Sequence, residues 1–112
     1  MHAFEVLADP VRRRLLELLA QTERSSGDMT TIVQAEFGLT QSAVSQHLKV
    51  LRDSGFATVR INGARRIYTV NVEPMRAVDV WLDRFRSFWE PKLEALATEV
   101  ARGKRQRSKS GR

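Results

Sequence analysis

The chain of 112 residues contains no cysteine, three prolines and a single tyrosine. Without cysteine there is no disulfide, no thiolate metal site and no thiol redox chemistry. No apolar run approaches the roughly 18 residues that span a bilayer, and the opening MHAFEVLADP has no secretory hydrophobic region. No membrane role is expected, and the expected location is cytoplasmic. A glycine-rich phosphate loop and a clustered carboxylate pair are also missing, so catalysis is not expected and no catalytic residue is named.

Acidic residues are scarce in two places. The net charge of +6 belongs entirely to RGKRQRSKSGR, residues 102–112, where six cations meet no acid. Residues 1–101 carry thirteen basic and thirteen acidic side chains and are neutral as a body. Within that body, residues 39–70 hold Lys49, Arg52, Arg60, Arg65 and Arg66 against Asp53 alone. Such local positive charge is the footprint expected for nucleic acid. The tail reads as a disordered segment. It either adds phosphate contacts without base preference or serves only as a solubilising terminus.

The segment LTQSAVSQHLKVLRDSGF, residues 39–56, reads as a helix with two opposite faces. At 100° per residue, Gln41, Ser42, Ser45, Gln46, Lys49, Arg52 and Asp53 fall within roughly 140° of arc. Ala43, Val44, His47, Leu48, Val50 and Leu51 fill the other side and are expected to bury. Amides and hydroxyls of this size pair with base edges in the DNA major groove, while Lys and Arg serve phosphate or guanine.

Its neighbours fit the same picture. Asp9 caps a helix from Pro10 to about Ala20, with Val11, Leu15, Leu18 and Leu19 on one face. QTERSSGD reads as a loop, followed by a short helix in MTTIVQAEFG that buries Ile32, Val33 and Phe37, capped by Asp28 or Thr30 and stopped by Gly38. Thr40 then caps the two-faced helix and Gly55 ends it. Two short helices joined through a glycine, the second polar outward, are a helix-turn-helix. ATVRI and RRIYTV flank Asn62-Gly63-Ala64 and predict a hairpin with arginines beside its tip, placed as a wing. From about Pro74 a last helix repeats Met75, Val78, Trp81, Leu82, Phe85, Phe88, Trp89, Leu93, Leu96 and Val100 at helical spacing. It is too long for so small a body to cover and predicts a two-fold dimer interface shared with the N-terminal segment. Pro91 is expected to kink or split it near Ser87 to Glu90.

FEVLADPVRRRLLELL, then LTQSAVSQHLKVLRDSGF, then GARRIYTVN resemble the ArsR/SmtB family of bacterial winged-helix repressors, over about residues 3–100. VWLDRFRSFWEPKLEAL is similar to the SdpR-type autorepressor branch. The resemblance implies a mainly α winged helix-turn-helix with a small β-hairpin. It implies a homodimer built through the first and last helices, with Phe4, Leu7, Val78, Trp81, Leu82, Phe85, Phe88, Trp89, Leu93 and Leu96 at the interface. It implies double-stranded operator DNA of palindromic form as partner and the protein's own promoter as a target. The DNA-reading positions fall on Thr40, Gln41, Ser42, Ser45, Gln46, Lys49 and Arg52, with wing contacts from Arg65, Arg66 and Arg60.

The family's metal sensors carry a Cys-Val-Cys type motif where this chain has MTTIVQAEF, or Asp and His ligands on the last helix. Here Asp79, Asp83 and Glu90 have no histidine beside them, and His2 and His47 are the chain's two imidazoles. Borderline divalent metals want imidazole or thiolate, so no metal or other cofactor is expected, and no inducer is named by the sequence. The alternative is a protein-interaction module built on a winged-helix scaffold, working through the last helix. A nearly acid-free polar face followed by an arginine hairpin argues for DNA instead.

Overall fold

The computed structural model describes residues 2–110. Helix α1 covers Ala3–Leu7 and α2 Pro10–Gln21. The Asp9 side chain accepts from the N–H groups of Val11 and Arg12, with Pro10 as first helical residue, as the Asp-Pro pair predicts. Strand β1, Arg24–Ser25, precedes α3, Ser26–Phe37, and α4 follows at Gln41–Asp53. Strands β2, Ala57–Asn62, and β3, Arg65–Val70, complete an antiparallel sheet of order β1-β3-β2.

The start of α3 differs from expectation. Ser25, not Asp28 or Thr30, is the cap: its Oγ accepts from the Asp28 N–H at 3.1 Å. Arg24 and Ser25, read as loop, pair with Tyr68 and Ile67 of β3. A two-residue strand carries no period of its own; its partner creates it. Met29 and Val33 are the buried residues of α3, Ile32 is partly covered, and Phe37 is exposed.

Two glycine-ended turns fix α4. Gly38 adopts φ 67°, a left-handed cap that L side chains enter at a cost, and its N–H donates to the Gln34 carbonyl. The Gln34 side chain donates to the Leu39 carbonyl at 3.2 Å, and Thr40 then caps α4 by accepting from the Ala43 N–H at 3.1 Å. At the far end Gly55, φ 81°, donates to the Arg52 carbonyl and Phe56 to that of Leu51. This is a Schellman motif, and it turns Phe56 into full burial.

The core gathers Val6, Leu15, Leu19, Met29, Val33, Val44, Leu48, Leu51, Phe56 and Tyr68. In the hairpin, Asn62 pairs with Arg65 and so belongs to β2, which shortens the expected Asn62-Gly63-Ala64 connection to the two turn residues Gly63 and Ala64. Gly63 has φ 64° and no other residue of the turn is positive, the pattern of a type II′ turn. The register puts Val59, Tyr68 and Val70 on the core-facing side. Ile67 is buried on the opposite side, and Ile61 near the tip is 76% exposed.

The chain divides into two compact units, residues 1–78 and 79–112. Helix α5, Met75–Ser110, makes up the second unit beyond Val78. Of the kink or split expected at Pro91, the split does not occur: Glu90 and the helix-favouring run from Lys92 to Ala97 hold the flanks helical where Pro91 removes a donor. It also continues past residue 101, where a disordered tail was expected. Arg, Lys and Gln are themselves strong helix formers. The expectation for residues 111–112 lies outside the described residues. Among the described residues no helix is long and apolar enough to cross a membrane.

Candidate nucleic-acid interface

Every residue predicted for the polar side of α4 is exposed: Gln41, Ser42, Ser45, Gln46, Lys49, Arg52 and Asp53. Val44, Leu48 and Leu51 are buried, and Ala43, His47 and Val50 half-buried. The separation follows from helical period alone, because the apolar stripe has one place to go. Thr40, at the cap, is exposed but spends its hydroxyl oxygen on the backbone.

His47 is packed, as its position on the apolar side implies. Its Nδ1 lies 3.5 Å from Arg12 Nη1 and 3.9 Å from Asp9 Oδ1. Burial alone raises the Asp9 carboxyl. The Arg12 and Val11 N–H bonds and the charges of His47 and Arg12 outweigh it, leaving Asp9 below its ordinary value. Among the described residues no group of three potential metal ligands comes together. Arg86 bridges Asp79 and Asp83 on α5.

Two clefts flank the exposed side of α4. One is lined by Ser45, Gln46, Lys49 and Arg52 of α4, Ser26 of α3, and Arg66 and Tyr68 of β3. Three cations converge there, and among the described residues neither Lys49 nor Arg66 forms an ion pair. The other lies between α3 and α4 and is lined by Ser26, Gly27, Thr30, Thr31, Gln34, Gln41 and Ser45. These α3 residues and Tyr68 were missed by the sequence reading. For Tyr68 the signal was present: it stands two residues after Arg66, on the same side of its strand.

The wing arginines separate. Arg66 joins α4, but Arg60 is held by Glu23, at 2.9 and 3.1 Å, and Arg65 lies 3.5 Å from Asp28. Sequence distance hid both acids.

The family described as bacterial regulatory protein, arsR family, matches residues 9–59, the stretch from the α2 cap into β2. HTH-type transcriptional regulator Rv2034 of Mycobacterium tuberculosis is 35% identical over 83 residues, 74% of this chain and 74% of the relative. The chain belongs to the ArsR family. Among other members, regulator Rv0081 of M. tuberculosis is 40% identical over 67 residues, 60% of this chain, and the match spans 56% of that relative's length. The transcriptional repressor SdpR of Bacillus subtilis is 24% identical over 84 residues, 75% of this chain and 89% of SdpR. The crystal structure of an ArsR family transcriptional regulator superposes with TM-score 0.65 at 28% identity, over 79% of this chain and 87% of that one. A homodimeric winged helix-turn-helix DNA-binding domain, Mb0332 of Mycobacterium bovis, matches with TM-score 0.57 at 25% identity, over 77% and 78%. The winged helix-turn-helix fold of this ArsR-family chain is therefore shared with solved relatives.

Proposed function

We propose that this chain is a sequence-specific transcriptional regulator that binds a palindromic operator as a homodimer and represses by occupying the promoter, its own included. The observation that carries the reading is the exposed side of α4, where two amides, two hydroxyls and two cations stand outward with one acid at the far end. Gln41, Ser42, Ser45 and Gln46 meet base edges in a major groove. Lys49, Arg52 and Arg66 meet phosphate, as does the hydroxyl-lined entrance of α3, the first helix of the motif crossing the backbone.

The dimer draws support from the apolar residues exposed along α5, with Phe88 64%, Leu93 58% and Leu96 56% accessible. Mb0332, a structural relative, is described as homodimeric. No metal is assigned to the regulator: Asp79 and Asp83 are engaged by Arg86, and His47 by the Arg12 and Asp9 pair.

The direct test is a footprint of the purified protein on the DNA upstream of its own gene. Two protected half-sites about one or two helical turns apart are expected. Absence of any protected site, with binding equal on unrelated duplexes, would overturn specific recognition.

A further inference from the structure

The hairpin register distributes the wing's arginines over two sides. Ile61 pairs with Arg66, and Arg60 with Ile67, so Arg66 shares the side of Val59 and Tyr68 while Arg60 and Arg65 lie opposite. On that opposite side each arginine meets an acid. Arg60 on β2 reaches past the middle strand to Glu23, donating from Nη2 to Oε1 at 2.9 Å and from Nη1 to Oε2 at 3.1 Å. A guanidinium so engaged has spent the two-pronged geometry with which it would grip a phosphate, and the carboxylate itself repels one. Asp28, 3.5 Å from Arg65, makes a single looser contact.

We propose that Glu23 sets the DNA affinity of this protein by sequestering Arg60, so that the phosphate grip of the wing rests on Arg66. The inference rests on the DNA-binding reading and assigns a role to an acid outside the recognition helix. An acid placed so keeps the complex weak enough to dissociate, at the cost of one phosphate contact. Both partners are about half exposed, so the pair is dispensable to the fold.

The experiment compares wild type, Glu23→Gln, Arg60→Gln and the double variant on two probes, the upstream duplex of the gene and a mixed-sequence duplex, across a salt series. Thermal unfolding confirms that each variant is folded. Glu23→Gln is expected to tighten binding to both duplexes about three-fold or more and to steepen the salt slope by about one. Arg60→Gln alone is expected to change little, and in the double variant the gain is expected to vanish. Binding by Glu23→Gln equal to or weaker than wild type overturns the proposal. So does a gain that survives in the double variant, because it would come from lost negative charge and not from a released Arg60. Failure of wild type to bind either duplex would instead overturn the DNA-binding reading itself.

Discussion

Arg12 of α2 and His47 of α4 meet behind the recognition helix, Nη1 to Nδ1 at 3.5 Å. The rest of the same guanidinium closes α1, Nε donating to the Val6 carbonyl at 2.9 Å and Nη2 to that of Glu5 at 2.8 Å. A five-residue helix cannot stand alone, and its last carbonyls need these donors. Arg12→Ala is therefore expected to destabilise the protein by about 1–3 kcal/mol, since the part-buried Val6 carbonyl loses its partner along with the exposed Glu5 carbonyl. Chemical denaturation measures it. A change below about 0.5 kcal/mol would mean that water replaces the guanidinium without cost.

On the exposed side of α4 two kinds of residue predict two kinds of loss. Gln46→Ala is expected to flatten base preference at one position in each half-site, a difference of about 1–3 kcal/mol against the preferred base. Arg66→Ala is expected to weaken all sequences alike and to reduce the salt slope by about one. Titrating both variants against the footprinted site and its single-base variants separates the effects. Identical behaviour of the two would show that the cleft and the helix side do not divide as drawn.

The two sides of α4 were legible in the sequence because burial there depends on angle around one axis, and no distant residue enters the argument. The caps at Asp9, Thr40, Gly38 and Gly55 were legible for the same reason: each acts within four residues of itself. What escaped was non-local. Arg24 and Ser25 are a strand because Tyr68 and Ile67 pair with them. Arg60 is engaged because Glu23, far back in the chain, is folded onto its side of the sheet. The hairpin lay between. Its existence was plain from Asn62-Gly63, yet the pairing of Asn62 with Arg65, which shortens the connection from three residues to two, was not, and that register decides which side each arginine takes.

Asp9 gives the fold an acid limit. Its native carboxyl lies below the ordinary 3.8, through the balance of bonds and charges against burial. Above that ordinary value both native and unfolded chains are ionised, and the native state keeps the full benefit. As pH falls from there toward the lower native value, the unfolded chain takes up its proton first and the benefit is lost. Glu36, held down by its hydrogen bonds to Arg14, acts in the same direction. Asp9→Asn keeps a side-chain oxygen for the α2 cap but has no proton to exchange. Its stability is expected to fall less steeply than wild type below pH about 4. Unfolding curves collected across this acid range would contradict the assignment if the two slopes coincided.

Helix α5 carries the last prediction. Phe88 and Leu96 are both more than half exposed, so replacing them costs little within one copy. Along the same helix Trp81 and Phe85 meet tilted, with ring centroids 4.7 Å apart, and Phe85 and Trp89 stack at 6.1 Å. In a two-fold pair each substituted position recurs on the partner, so the double variant Phe88→Glu, Leu96→Glu would set two carboxylates per copy against an apolar surface. It is expected to sediment as a monomer at concentrations where wild type is a dimer. Because one copy then holds one half-site, operator affinity is expected to fall about 100-fold or more through loss of joint engagement. A variant that stays dimeric and keeps wild-type affinity would move the interface off this stripe of α5.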